Sequence, residues 1–155
     1  MKEIIELCVQ TVYTHLHLSY NNDIFIDFTA GQGLFIGDVE KYLVNRLLVY
    51  DNAPWPCGGH PDIAFYDFLD PAFNFAKFDK TYLAGLWYDE VHVISMPPPD
   101  KIERCIEVAS TFAQSISFLL PNKTTYTFPP NYKNIINKEF KEQNLVFQTW
   151  LKTDC

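Results

Sequence analysis

The chain has 155 residues, of which 48% are hydrophobic and 20% charged, enough to build the buried core of a single domain over residues 1–155. Its net charge of −7 lacks the basic excess of a protein that holds DNA or RNA alone, so we expect nucleic acid to bind only weakly or through a partner. We expect no membrane span, and the acidic start MKEIIELCVQ and four scattered cysteines predict a cytoplasmic protein with reduced thiols.

The first predicted elements are a helix, a strand, a glycine turn, a second helix and a second strand. Apolar residues at helical spacing predict a helix over residues 2–18. A short apolar run over residues 24–28 predicts a strand, which the turn Thr29-Ala30-Gly31-Gln32-Gly33 follows. Residues 34–43 can form a helix, and the sequence LLVYD over residues 47–51 predicts a second strand that ends in an acid.

The rest of the chain continues the alternation of strands and helices. Three prolines and two glycines predict a loop over residues 53–61, and an aromatic stretch over residues 71–82 holds a short helix at best. The other predicted elements are a strand over residues 62–70 that ends at Asp67, strands over residues 90–95, 116–120 and 144–151, and helices over residues 100–114 and 134–142. The last strands of the chain are predicted to be short. Because several strands are continuous apolar runs, we expect an α/β fold, a mostly parallel sheet with helices on both faces.

Suggestive residues follow three successive predicted strands, at the sheet edge where parallel sheets bind ligands. Gly31 and Gly33 follow the first strand and permit close approach of the backbone to a ligand. Asp51 ends the second strand, where an acid can accept both hydroxyls of a ribose. Asp67 can accept from an adenine amine, and the ring of Phe68 can lie on the base. Together these positions predict a nucleoside-type ligand, without the P-loop lysine of a nucleotide triphosphate site.

Each of these features also has a purely structural interpretation. Glycines and acids at strand ends are common turn formers. His92 lies inside a predicted strand and is expected to be buried and neutral. The aromatic cluster between Phe65 and Phe78 is most simply core, although exposed members would form a partner surface. No residue group has the spacing of a metal site.

The motifs DFTAGQG, VYD and YDF resemble the glycine turn and the two acids of class I S-adenosylmethionine-dependent methyltransferases. The stretch VHVISMPPP, followed by a helix and FAQSISFLLP, resembles the adenine amino-methyltransferases, which read strand, (Asp or Asn)-Pro-Pro-aromatic, helix and a strand ending in Leu-Pro. The likeness covers about residues 23–121 and is closest to the Asn-Pro-Pro-Phe group of bacterial, phage, large-virus and cap-adenosine enzymes. It implies a Rossmann-like class I methyltransferase sheet, trimmed to minimal size. It also implies that S-adenosylmethionine contacts Asp27, Thr29, Gly31, Gly33, Asp51, Asp67 and Phe68.

The sequence departs from this group at the catalytic motif, where Met96, Pro97, Pro98 and Pro99 stand. In intact members the Asn or Asp and a proline-region carbonyl accept hydrogen bonds from the adenine amine, and the aromatic stacks on a flipped-out base. Methionine offers only a weak sulfur acceptor at the polar position, and proline has no flat ring face at the aromatic position. Ser95 or Asp100 could substitute, but we expect lost or altered catalysis.

Three functions remain open at this point. The first is a protein that keeps an S-adenosylmethionine pocket without catalysis and acts as a regulatory subunit, with a protein partner or a second copy of itself. The second is an active adenine methyltransferase of nucleic acids with an altered motif, and the third is a structural or interaction protein that binds no cofactor. The deciding observation is whether the space above Gly31, Asp51 and Asp67 is open or filled by side chains such as Phe28, Trp55 and Phe68.

Overall fold

A seven-stranded sheet with helices packed on both of its faces organises the chain. The computed structural model describes residues 1–16, 22–31, 33–43, 46–51, 62–122 and 125–153. Its helices are α1 (Lys2–His15), α2 (Ile36–Tyr42), α3 (Phe75–Tyr82) and α4 (Ile102–Ala109). Its strands are β1 (Ile24–Asp27), β2 (Arg46–Asp51), β3 (Ala64–Phe65), β4 (Val91–Ser95), β5 (Ser115–Pro121), β6 (Tyr132–Phe140) and β7 (Leu145–Lys152).

The strands lie in the order β3-β2-β1-β4-β5-β7-β6. The first five are parallel, and β7 pairs antiparallel with both β5 and β6. The strand order reverses between β1 and β4, which creates a crevice at the carboxyl ends of these two strands. The predicted mostly parallel α/β sheet with helices on both faces is therefore confirmed.

Strands β1 and β4 lie at the centre of the sheet and every one of their residues is buried. Side chains alternate across a strand, so Ile24 and Ile26 enter the core beneath α3 and α4, whereas Phe25 enters the core beneath α1 and α2. Burial on both faces explains why these strands read as continuous apolar runs in the sequence.

Polar side chains set the limits of the helices on one face. The side-chain oxygen Oδ1 of Asn74 accepts a hydrogen bond from the Lys77 N–H at 3.1 Å and caps the start of α3. Helix α4 ends earlier than predicted. The hydroxyls of Ser110 and Thr111 donate to the carbonyls of Ile106 and Val108 at 2.5 and 2.6 Å and occupy acceptors in its last turn.

The predicted helix over residues 134–142 is wrong, because these residues form most of strand β6. The prediction of shortened final strands is also wrong, since β6 and β7, with nine and eight residues, exceed the other strands in length. A register shift between Asn134 and Ile136 breaks the two-residue alternation that would have revealed a strand. The Asn134 amide donates to the carbonyls of Ile136 and Thr149 and fills the irregularity.

The third predicted strand, over residues 62–70, is reduced to the two-residue β3. Beyond it the chain turns, because the carboxylates of Asp67 and Asp70 accept hydrogen bonds from the N–H groups of Leu69 and Ala72 at 2.9 and 2.8 Å. The predicted loop over residues 53–61 and the end of the first predicted helix lie outside the described residues. Among the described residues, no helix has the length and apolar character needed to cross a bilayer.

Candidate functional site

Two adjoining cavities open at the carboxyl ends of β1, β2 and β4, and we call them together the strand-end cavity. The larger has a volume of about 350 Å³ and is walled by Phe28 and Thr29 after β1, Asp51 at the end of β2 and the segment Met96–Pro99 after β4. The smaller, of about 210 Å³, shares Thr29, Gly31 and Met96 with the larger. Among the described residues the space above Gly31 and Asp51 is therefore open, whereas Asp67 does not line it and Trp55 lies outside the described residues.

Gly31 lines the larger cavity, which Gly33 does not reach, and its N–H is held by Asp51. Gly31 and Gly33 have φ angles of 57° and 78°, in the left-handed region that glycine adopts without steric cost. The Gly31 N–H donates to Asp51 Oδ2 at 2.7 Å. The acid predicted to serve a ribose therefore lines the cavity and ties the end of β2 to the turn after β1.

A buried hydrogen-bond network around Asp27 joins the two central strands beneath this cavity. Asp27 Oδ1 accepts from the Ser95 hydroxyl at 2.6 Å and from the Thr29 N–H at 3.2 Å. The hydroxyls of Thr29 and Ser95 are also hydrogen-bonded to each other, at 2.6 Å. Burial raises the pKa of Asp27 to about 7, against the hydrogen bonds that lower it, and the nearby charge of Asp51 adds to the rise. Near pH 7 the buried Asp27 carboxyl is therefore protonated in part of the molecules.

The Met-Pro-Pro-Pro segment forms one wall of the cavity and leads directly into α4. Pro97 is buried and Met96 is half-buried, while Pro99 reaches the surface. The Pro98 carbonyl accepts from the Lys101 N–H at 2.9 Å, which turns the chain into the helix. The four positions identified from the sequence therefore stand at the cavity, but none carries a strong hydrogen-bonding side chain.

The two residues that could have replaced the missing polar group lie in different environments. Ser95 is fully buried and its hydroxyl is held by Asp27 and Thr29, so it does not face a substrate. Asp100 is exposed and lines a separate groove of about 610 Å³ on the far side of Pro99.

Phe68 does not lie where base stacking would need it, and that role is corrected. Its ring is fully buried, with centroids 5.2 Å from Phe28 and 4.5 Å from Phe73, so it belongs to the aromatic core. Asp67 is half-buried, and its carboxylate accepts from the Leu69 N–H in the turn after β3. Asp67 is not among the described residues that line the strand-end cavity. The short β3 places this turn so that residue 68 points inward.

Six residues of the strand-end cavity were not among the predicted contacts. Phe28, Leu69 and Lys101 line the larger part, and Ala30, Leu34 and Phe35 line the smaller part. Leu69 lines the cavity, whereas its neighbour Phe68, which the sequence assigned to the site, does not. Lys101 lies two residues beyond the proline motif and lines the larger part of the cavity, a position that only the tertiary structure reveals.

Solved structures similar to this chain include several methyltransferases. The rRNA methyltransferase aviRa from Streptomyces viridochromogenes matches with a TM-score of 0.66 at 10% identity, over 98% of this chain and 84% of that protein. The 23S rRNA methyltransferase ErmE gives 0.58 at 11% identity, over 98% and 68%. Human N-acetylserotonin methyltransferase in complex with S-adenosylmethionine gives 0.54 at 11% identity, over 99% and 54%.

These matches establish the fold of the chain. No protein-family model matches the sequence, and a comparison with curated proteins finds no match. At 10–11% identity the structural similarity speaks for architecture alone. The protein therefore has the Rossmann-like class I methyltransferase fold.

Proposed function

We propose that this protein binds S-adenosylmethionine in the strand-end cavity without transferring its methyl group, and acts as a regulatory or partner subunit. The observation that carries the proposal is an open cavity at the switch point of a methyltransferase fold, walled by Met96–Pro99. An open cavity also argues against a purely structural protein that binds no cofactor.

The residues around the cavity fit the cofactor chemically. Asp51 supplies carboxylate acceptors for ribose hydroxyls, and Leu69 supplies apolar surface for adenine. The turn around Gly31 brings backbone close to the ligand, and Lys101 supplies a cation for a carboxylate. The volumes of about 350 and 210 Å³ together lie within the roughly 300–1,000 Å³ of small-molecule pockets.

We expect no methyl transfer because the site lacks the side chains that would hold an acceptor amine in position. When bound, S-adenosylmethionine supplies an electrophilic methyl group on a sulfonium, and the protein contributes mostly orientation of the acceptor. Met96 and Pro99 cannot hold and stack an adenine as the Asn-Pro-Pro-Phe group does, and the Ser95 hydroxyl is held by Asp27. An amine reaching this cavity would meet no free polar side chain at these three positions.

A partner role is supported by the surface and the charge. Phe65 and Trp87 are 66% and 72% exposed, which is unusual for large aromatic side chains. The net charge of −7 disfavours direct binding of a phosphate backbone. We therefore propose another protein or a second copy of this chain as the partner, with nucleic acid reached through it.

The second candidate is an active methyltransferase, and the position of Asp100 favours it. This carboxylate lies just beyond Pro99, in the neighbouring groove, where it could accept a hydrogen bond from a substrate amine. Two of the similar structures named above are rRNA methyltransferases, which makes RNA the first substrate to test.

Methyl-labelled S-adenosylmethionine separates the two candidates. The full chain is expected to retain label by equilibrium binding and to transfer none to RNA, DNA or itself. Transfer by the unaltered protein, lost in Asp100→Asn, would establish the active enzyme and refute the non-catalytic proposal. The double variant Met96→Asn with Pro99→Phe tests descent from an active enzyme, because gained transfer would show that the rest of the site is still competent.

A further inference from the structure

A second cluster of ionisable side chains lies at the opposite edge of the sheet, where β1, β4 and β5 begin. Asp23 directly precedes β1, and Glu90 directly precedes β4. The parallel pairing of the two strands sets Ile24 beside Val91, so the residues just before them are neighbours. The Ile24 N–H donates to the Glu90 carbonyl at 3.0 Å and fixes this arrangement. His92, the second residue of β4, points into the same space.

Three atoms that could each donate a lone pair to a metal ion lie close together in this cluster. His92 Nε2 lies 3.1 Å from Asp23 Oδ2 and 4.0 Å from Glu90 Oε2, and all three donors lie within 4.8 Å of one another. A tetrahedral zinc ion with ligands at about 2.0–2.1 Å keeps its donor atoms roughly 3.3 Å apart. The distance from His92 to Asp23 is slightly shorter than this separation and the distance from His92 to Glu90 is longer. The Glu90 carboxylate would therefore have to move closer to His92 for all three groups to bind one ion.

The other ring nitrogen of His92 is already oriented by a buried partner. His92 Nδ1 lies 2.7 Å from the Ser115 hydroxyl, and both residues are buried. When Nδ1–H donates to Ser115, the lone pair of Nε2 faces the two carboxylates. Metal-binding histidines are held in this way by a hydrogen bond to the second nitrogen. In that tautomer Nε2 and Asp23 Oδ2 are both acceptors, and a cation between them turns a repulsive contact into an attractive one.

We propose that Asp23, Glu90 and His92 bind a divalent transition-metal ion, for which zinc fits best. One imidazole nitrogen and two carboxylate oxygens are zinc ligands, whereas calcium needs six to eight oxygens and magnesium an octahedral shell. Two carboxylates balance the charge of the ion at a place where Asp23 is buried. The Glu90 side chain is 48% exposed, so the ion can enter from solvent and keep a water as its fourth ligand.

The proposed ion would join the amino ends of the two central strands. It would lie across the sheet from the strand-end cavity, so it stands apart from the proposed cofactor binding and either proposal can fail alone. Its expected effect is to stabilise the fold, because an ion that binds only the folded state adds its binding free energy to stability.

Calorimetry and thermal unfolding of the metal-free full-length protein test the site with zinc chloride. We expect one saturable zinc site and a raised Tm, with no such response to magnesium or calcium. Glu90→Gln removes one ligand at an exposed position and should weaken zinc binding by about tenfold or more, since even outer-shell changes cost this much. The matched control Glu139→Gln removes an exposed charge on β6 and should bind as the unaltered protein does.

The visible absorption spectrum of bound cobalt(II) reports the type of ligand atom directly, without relying on a variant. In the proposed site it should give weak visible bands without the sulfur-to-metal charge-transfer band of a thiolate site. The proposal is overturned by that sulfur band, which would place the ion on a cysteine, by absence of zinc binding at millimolar concentration, or by unchanged affinity in Glu90→Gln. In the last two cases Asp23, His92 and Ser115 form a metal-free hydrogen-bond network.

Discussion

At the scale of single residues, Asp27 combines full burial with a position beneath the strand-end cavity. Its carboxyl is surrounded by hydrogen-bond donors and still has its pKa raised to about 7, because desolvation outweighs them. Near neutral pH this residue changes charge within hydrogen-bond reach of Ser95, directly before the Met-Pro-Pro-Pro segment.

The pH dependence of stability should reveal this group. Its pKa in the folded state lies above the value of 3.8 expected when unfolded, so the folded state binds the extra proton and stability rises as pH falls from about 7 toward 4. Asp27→Asn should flatten this profile and gain stability at pH 8, on the order of a few kcal/mol at most.

Urea unfolding between pH 5.5 and 8.5 measures the free energy of unfolding of the variant and of the unaltered protein. This pH range lies above the pI of about 4.9 that follows from the sequence. Glu139→Gln, exposed on β6, is the control and should keep the slope of the unaltered protein. Parallel profiles for Asp27→Asn and the unaltered protein would show that Asp27 titrates normally.

Neighbouring residues 68 and 69 should separate stability from ligand binding. Phe68→Leu removes aromatic contacts in the core and should cost about 1–2 kcal/mol of unfolding free energy without changing affinity for S-adenosylmethionine. Leu69→Ala, at the cavity wall, should lower affinity by about fivefold, equivalent to roughly 1 kcal/mol. Fluorescence titration and urea unfolding of both variants test this, and the reverse pattern would restore Phe68 as the base-stacking residue.

At the scale of elements, the antiparallel hairpin of β6 and β7 is stabilised by tertiary pairing more than by local preference. Residues of β6 include lysine and glutamate, which favour helices in isolation, and pairing with all eight residues of β7 overrides that preference. The central strands were predictable, because burial on both faces leaves a continuous apolar run. An edge strand with a register shift leaves no such pattern, so β6 was not.

Asn144 is the residue that allows this hairpin to turn. It follows the 3₁₀ turn of Lys141–Gln143 and has φ 56° and ψ 43°, a left-handed conformation that disfavours most L-residues by about 1–2 kcal/mol. Asn144→Ala should therefore lose about 1 kcal/mol of stability, whereas Asn144→Gly should retain or exceed the original value. Chemical denaturation of both variants decides the matter, and equal stabilities of the alanine and glycine variants would contradict the account.

At the scale of the whole molecule, the sequence predicted the architecture and about half of the candidate site. Asp27, Thr29, Gly31, Asp51 and Met96–Pro99 meet at one edge because parallel strands bring their carboxyl ends together. Strand ends alone do not reveal which side chain turns into the core, so Phe68 was assigned to the cavity and Leu69 was overlooked. Lys101 reaches the site through the turn into α4, a long-range arrangement that spacing does not encode.

Binding of S-adenosylmethionine to the cavity is the central claim, and calorimetry with two matched variants tests it most directly. Asn at position 51 can still accept the Gly31 N–H but lacks the second acceptor oxygen, so Asp51→Asn should weaken binding by about tenfold or more. Asp100→Asn removes the same charge from the neighbouring groove and should leave affinity unchanged. Saturable binding with this pattern is the predicted result. Absence of binding at millimolar ligand, or an equal loss in both variants, would contradict it.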